Sequence, residues 1–228
     1  MNTAIIVAAG SGQRFGSKTP KQFLSIGNEP LIIHTLERFQ SCPSIDQIIL
    51  VLPSKQTTEF LQTVSKYSIT KLVKIVSGGI TRAESVWKGL SAIQSVKAEI
   101  IAVHDGARPL VTSEEISACI EKAKETGAAI LTASVTDTIK EIKDGKITQT
   151  IDRKTLRRAL TPQCFRYEIL RKAFEKVNNL SESATDESYL VEKCGVEVSI
   201  VEGSARNIKV TTKEDLKLVE SLLKKENV

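Results

Sequence analysis

What this chain lacks narrows it first. Aromatic residues make up only 4% of its 228 residues. Nucleic-acid platforms interleave aromatics with a basic stripe, whereas the lysines here are scattered. The net charge of +5 therefore suits small anionic ligands, and no nucleic-acid partner is expected. No apolar run approaches the roughly 20 residues of a membrane span, so no membrane is expected either. A strand pattern begins at Thr3, so no signal peptide is expected. The four cysteines, Cys42, Cys119, Cys164 and Cys194, are far apart and form no C-x-x-C pair. That pattern predicts a reduced, cytoplasmic protein without structural zinc. With only two histidines, His34 and His104, a histidine metal site or a hydrolytic triad fits poorly. The chain also has no Asp-x-Asp metal motif, internal repeat, low-complexity segment or linker.

What is present is an alternation. A hydrophobic content of 41% can fill the core of one α/β domain spanning residues 1–228. Strand patterns at Thr3–Ala8, Gln47–Leu52, Leu72–Val76, Ile100–Val103 and Ala128–Ser134 are separated by helical patterns at Leu31–Phe39, Thr57–Lys66, Arg82–Gln94 and Glu114–Glu125. Thr112 or Ser113 can cap the last of these helices, and Gly127 ends it. Such alternation predicts a doubly wound, mostly parallel sheet covered on both faces, with ligands at the carboxyl ends of the strands. Between about 137 and 153, Ile139, Glu141, Lys143, Asp144-Gly145, Ile147 and Thr148 read as a β-hairpin arm projecting from that core. A second subunit or the arm's own domain could cover it. Helices at Tyr167–Val177 and Asp186–Lys193, strands at Val196–Val201 and Ile208–Thr211, and a C-terminal helix capped by Thr212 complete the reading.

Three polar motifs fall at expected strand ends. The first is a glycine-rich loop, Ala8-Ala9-Gly10-Ser11-Gly12-Gln13-Arg14-Phe15-Gly16, followed by Pro20-Lys21-Gln22. Glycines let backbone N–H groups approach a phosphate, and Arg14 and Lys21 add positive charge. The loop lacks the Gly-Lys-Ser/Thr ending of a Walker A motif, and Phe15 stands where a dinucleotide fingerprint needs glycine. The second motif is Ser77-Gly78-Gly79, with Arg82 and Ser85 in the helix that follows. The third is His104-Asp105-Gly106-Ala107-Arg108-Pro109. A carboxylate ending a buried strand can hold a divalent cation or cap a loop, so Asp105 is a candidate Mg²⁺ ligand. His104 points to the opposite face and reads as a structural hydrogen-bonder, and His34 has no evident acid or base partner. Arg108 can orient a carboxylate or bind phosphate. Lys209, flanked by Ile208 and Val210, is either a phosphate ligand or an edge-strand lysine.

Taken in order, Ala8-Ala9-Gly10-Ser11-Gly12-x-Arg14, Pro20-Lys21-Gln22, Gly78-Gly79-x-x-Arg82-x-x-Ser85, His104-Asp105-Gly106-Ala107-Arg108-Pro109, Asp137-Thr138-Ile139-Lys140, Thr161-Pro162-Gln163, Thr185-Asp186-Glu187 and Asn207-Ile208-Lys209-Val210-Thr211 resemble the 2-C-methyl-D-erythritol 4-phosphate cytidylyltransferase family. The resemblance implies a Rossmann-like nucleotidyltransferase fold and transfer of CMP from CTP to a sugar-alcohol phosphate. It implies that Arg14, Lys21 and Lys209 stabilise the transition state and that Asp105 holds Mg²⁺. Ala8, Ala9, Gly10, Gly12, Gly79 and Ser85 would line the nucleotide site. Asp105, Arg108, Thr138, Arg153 and Thr161 would contact the second substrate, with the arm making a homodimer and Arg153 reaching the partner's site. Two residues depart from the pattern: Ile80 replaces a commonly acidic residue, and Arg206 adds charge near Lys209. The nearest rival resemblance is ribitol-5-phosphate cytidylyltransferase, whose aspartate motif carries Val where Ala107 stands. A non-catalytic nucleotide-binding module would not need Arg14, Lys21 and Asp105 together.

Overall fold

A computed structural model describes residues 1–10, 20–94, 98–176 and 185–226. In chain order the elements are β1 (Asn2–Val7), β2 (Ser25–Ile26), β3 (Glu29–Pro30), α1 (Leu31–Ser41), β4 (Gln47–Leu52), α2 (Thr57–Val64), β5 (Leu72–Ser77), α3 (Arg82–Ser91), β6 (Ile100–Asp105), α4 (Ser113–Thr126), β7 (Ala128–Ser134), β8 (Ile139–Lys143), β9 (Lys146–Ile151), β10 (Arg157–Arg166), α5 (Tyr167–Lys176), α6 (Glu187–Lys193), β11 (Ser199–Glu202) and α7 (Lys213–Glu226). The five strands and four helices expected up to Ser134 all form, with ends differing by no more than three residues.

The main sheet has the order β11-β7-β10-β6-β1-β4-β5. Strands β6, β1, β4 and β5 run parallel, as do β7 and β11, while β10 is antiparallel to both of its neighbours. Because side chains alternate along a strand, successive residues of β1 enter opposite cores. Ala4 and Ile6 pack with α1, α2 and α4, whereas Ile5 packs with α3, α5 and α6. Both faces are thus covered, and the strands are apolar almost throughout. A third cluster joins Ile26 and Leu31 to Ala107, Val210 and, from α7, Val219 and Leu223. This cluster seats the segment before α7 against the loop that follows β6.

The sequence cues act locally as expected at several ends. Thr112 and Glu115 form a reciprocal capping box, and Gly127 ends α4 at φ 94°. Asp144 and Gly145 both have positive φ, which matches the twist of the two-residue turn joining β8 to β9. The arm's strands pair only with each other, and Ile142 and Ile147, partners across the hairpin, are exposed.

One strand was not expected, and two expected strands need correction. Strand β10 was not legible: Pro162 interrupts its run, and proline cannot donate to a ladder. The structure accommodates it with a register shift between Ala159 and Gln163. The expected strand Ile208–Thr211 is instead irregular, joined to the post-β6 loop through Val210 N–H and the Ala107 carbonyl at 2.8 Å. Its apolar residues serve the α7 cluster and not a sheet face. Strand β11 begins at Ser199, three residues later than Val196.

Gly78 shows why the first two polar motifs adjoin. A Cβ added there would collide with the Ala9 methyl and lie 2.9 Å from Ser85 Oγ. Gly78→Ala is expected to force the two loops apart and destabilise the protein by about 1–3 kcal/mol, the usual cost of overpacking. Urea denaturation of the two proteins checks this.

Candidate active site

The carboxyl ends of β1, β5 and β6 bring the motifs together. Ala8 N–H donates to the Val51 carbonyl, and Gly106 N–H donates to the Val7 carbonyl. The Gln22 amide donates to the Ala8 carbonyl at 2.7 Å and to the Gly10 carbonyl at 3.3 Å. This buried glutamine, from the Pro20-Lys21-Gln22 motif, thereby pins the start of the glycine loop. Gly12 and Arg14, both expected at this site, lie outside the described residues.

At the second motif, Ser85 Oγ accepts from Gly79 N–H at 3.1 Å and donates to the Thr81 carbonyl at 2.9 Å. Ser85 therefore shapes the Gly79 turn. Ile80 is 98% exposed, and its N–H donates to Glu84 Oε2 at 2.8 Å. The carboxylate beside this turn thus comes from α3 and not from position 80.

Asp105 is the centre of the site. Its Oδ1 accepts from Arg82 Nε at 3.0 Å, and its Oδ2 accepts from Lys209 Nζ at 2.8 Å and Arg108 Nε at 3.4 Å. Burial alone would raise the Asp105 pKa; Arg82, Lys209 and Arg108 outweigh it and hold the carboxyl well below the usual range. Arg108 also donates to the Asn207 carbonyl at 2.7 Å, and the Asn207 amide donates to the Thr161 carbonyl at 2.8 Å. Lys21 Nζ donates to the Val210 carbonyl at 2.7 Å, one residue from Lys209. Lys21, Lys209, Arg108 and Asp105 are therefore assembled at one place.

The opposite face of β6 carries a second network. His104 is fully buried, and burial lowers its pKa to about 3. Its Nε2 lies 3.1 Å from the Arg108 carbonyl and its Nδ1 lies 3.0 Å from Thr161 Oγ1. A carbonyl can only accept, so Nε2 carries the proton and Nδ1 accepts from the threonine. Thr161 Oγ1 also accepts from Asp105 N–H at 3.2 Å. Thr161, expected to contact substrate, thus braces the end of β6 with its only hydroxyl proton already committed. Thr138 and Arg153 lie exposed at the base of the arm, where Arg153 donates to the Thr136 carbonyl.

Asp105 can serve Mg²⁺ in one way. A carboxylate has about four acceptor positions. Three donors occupy this one, leaving room on Oδ1. It fits a cation that takes one carboxylate and fills its other positions with phosphate and water oxygens. Among the described residues, the one group of three ligand-type side chains near one another is Glu29, His34 and Glu37, on β3 and α1. His34 therefore has acidic neighbours that its helical setting had not suggested, Glu29 Oε2 lying 3.9 Å from Nδ1.

Sequence reasoning assigned no role to Arg82, Glu187, Gln163 or Gln22. Arg82 Nη1 donates to both oxygens of Glu187 at 2.6 and 2.7 Å. Gln163 Oε1 accepts from the Glu187 and Ser188 N–H groups, and the Gln163 amide donates to Asp186. The signal for all four was their place inside short motifs; nothing in hydrophobic period marks them.

A model of the 2-C-methyl-D-erythritol 4-phosphate cytidylyltransferase family matches residues 2–225. The protein of that description from Syntrophus aciditrophicus is 43% identical over 225 residues, spanning 98% of this chain and 96% of its own. Its counterpart from Clostridium botulinum is also 43% identical, over 98% of both chains. The crystal structure of 4-diphosphocytidyl-2C-methyl-D-erythritol synthase from Anaerococcus prevotii matches with a TM-score of 0.86 and 30% identity, over 98% of both chains. The corresponding cytidylyltransferase structure from Thermus thermophilus gives a TM-score of 0.78 at 28% identity, over 96% of this chain and 98% of that one.

The neutral His104 carries a pH signature. Its folded pKa, about 3, lies below the ordinary 6.5. Between those values the unfolded chain binds a proton that the folded protein does not. Stability conferred by this residue is therefore present above pH 6.5 and is lost as pH falls toward 3, by at most ~1.4 kcal/mol per unit. Urea midpoints measured from pH 7 to pH 4 should fall more steeply for the unaltered protein than for His104→Gln.

Proposed function

The chain belongs to the 2-C-methyl-D-erythritol 4-phosphate cytidylyltransferase family, and we propose how its residues carry out that family's reaction. CMP passes from CTP to 2-C-methyl-D-erythritol 4-phosphate, giving 4-diphosphocytidyl-2-C-methyl-D-erythritol and pyrophosphate, a step in isoprenoid precursor synthesis. A phosphate oxygen of the sugar-alcohol phosphate attacks the α-phosphorus of CTP. The bond from that phosphorus to the β-phosphate oxygen breaks, and pyrophosphate leaves with the electron pair. Such a transfer needs positioning and charge neutralisation more than covalent help.

The observation that carries this reading is the cation cluster around Asp105. Lys209, Arg108 and Arg82 contact one buried carboxylate, and Lys21 is bonded one residue from Lys209. Positive groups here outnumber carboxylates, which suits a ligand as negative as CTP facing a phosphate. Lys21, Lys209 and Arg14 would stabilise the charge on the transferring phosphoryl group. Ala8, Ala9, Gly10, Gly12 and the Gly79 turn would hold the nucleotide, with Ser85 shaping that turn. Asp105 would hold Mg²⁺, whose charge, when the ion is bound, neutralises phosphate oxygens. Arg108 would orient the second substrate with Asp105, and Thr161 would act by bracing Asp105.

The arm supports a homodimer. Its two strands pair only with each other and leave Ile142 and Ile147 exposed, and a second copy would cover them. Arg153 and Thr138, at the arm's base, would then contact the sugar-alcohol phosphate in the partner's site. The whole chain, residues 1–228, would act as a single nucleotidyltransferase domain with this arm. No helix among the described residues is long and apolar enough to cross a membrane.

With Mg²⁺, CTP and 2-C-methyl-D-erythritol 4-phosphate, the protein should release pyrophosphate, and ribitol 5-phosphate should turn over far more slowly. Lys21→Ala should remain folded and lose roughly 10²–10³-fold in kcat, the usual cost of one well-placed donor. An unchanged kcat would remove Lys21 from the transition state. Mixed dimers of Lys21→Ala and Arg153→Ala should regain activity, since one site per dimer then holds both intact residues; verified mixed dimers that stay inactive would refute site sharing.

A further inference from the structure

In the reaction as described Arg82 enters only as a cation paired to Asp105, with no contact to substrate, and the Thr185-Asp186-Glu187 motif has no task. Building on the cytidylyltransferase reading of this site, we propose that Arg82 and Glu187 are positioning residues that fix the Lys209 ammonium by acting through Asp105. Three links form the chain: Glu187 to Arg82 at 2.6 Å, Arg82 to Asp105 Oδ1 at 3.0 Å, and Asp105 Oδ2 to Lys209 at 2.8 Å.

Each link constrains the next. Glu187 is 1% exposed, at the start of α6, and Gln163 accepts its backbone N–H at 3.1 Å. Its carboxylate therefore has a fixed place. Both of its oxygens accept from Arg82 Nη1, so the guanidinium is held toward α6. The rigid, planar guanidinium then presents Nε to Asp105. A carboxylate held at both oxygens cannot turn, so Oδ2 stays directed at Lys209. Lys209 needs this anchor because its segment is not a strand; the neighbouring backbone is tied only at separate points, Val210 to the Ala107 carbonyl and Lys21, the Asn207 carbonyl to Arg108, and Thr211 to Asp215. A lysine in Arg82's place keeps the charge but has no fork that spans both carboxylates.

The test compares the unaltered enzyme with Arg82→Lys and the near-isosteric Glu187→Gln. Turnover and CTP affinity are measured separately, the latter by isothermal titration. Arg82→Lys should lower kcat by about 10²-fold, the scale of an ångström's misplacement, with CTP affinity within about threefold of the unaltered value. Glu187→Gln should move kcat in the same direction by about 10-fold. Combining the two should cost little more than Arg82→Lys alone, because both act through one chain. A readout independent of turnover is amine labelling followed by mass spectrometry. Lys209 should label faster in both variants, while Lys124, which pairs with Glu121 far along the chain, should not change. If Arg82→Lys does not fold, Glu187→Gln alone decides. Unchanged Lys209 labelling in the folded variants, or a kcat loss matched by an equal loss of CTP affinity, overturns the positioning role. An unaltered enzyme that releases no pyrophosphate refutes the reaction reading instead, and the labelling result then decides the positioning role by itself.

Discussion

Asp105 is a carboxylate at the end of a strand whose residues are all buried, and it is only 6% exposed. Leaving such a charge unpaired would cost several kcal/mol. Its compensation comes from three parts of the chain: Arg82 at the start of α3, Arg108 in the turn after β6, and Lys209 before α7. Gathering these cations offsets the desolvation and concentrates positive charge at one place. The same carboxylate that draws them in also sets where they stand.

The surrounding fold supplies rigidity on each side of that residue. Below the sheet edge, His104 faces the other way along β6 and holds Thr161, which in turn takes the Asp105 N–H. Strand β10 makes this possible, because its antiparallel course between β6 and β7 lays Thr161 beside Asp105. On the far side, Val219 and Leu223 of α7 pack on Val210 and Ala107, so the Lys209 segment is pressed toward the β6 loop by apolar burial. Hydrophobic packing thus brings the cation within reach, and electrostatics fixes its final position.

The arm follows a different logic. It buries no charge: its strands are largely exposed, Lys140 bonds Thr150 and Gln149 bonds Glu141 across the hairpin, and Arg153 donates to the Thr136 carbonyl at the arm's base. A two-stranded ribbon of this kind is at best marginally stable by itself, which is why a second copy suits it. The core site and the arm therefore divide the proposed work, one gathering charge around the nucleotide and the other carrying a cation outward.

Local rules were legible in the residues alone. The period-two and helical patterns, the Thr112–Glu115 capping box, the φ-positive Gly127 and the Asp144-Gly145 turn all act within a few residues, so each could be read directly. The motif residues Lys21, Asp105, Arg108 and Lys209 were likewise identified from the sequence, and the structure places them together. What only the tertiary structure decided was partnership across distance. Strand β10 hid behind Pro162 because its pairing depends on β6 and β7 and not on its own pattern. The segment at Lys209 looked like a strand because its alternation suits one, but α7 and the β6 loop claim its apolar residues instead. Glu187 lies 105 positions from Arg82, and no local period can tell a first-turn helix glutamate from a buried charge partner. Local conformation depends on neighbouring residues; compensation of a buried charge depends on whichever cation the folded backbone carries into reach.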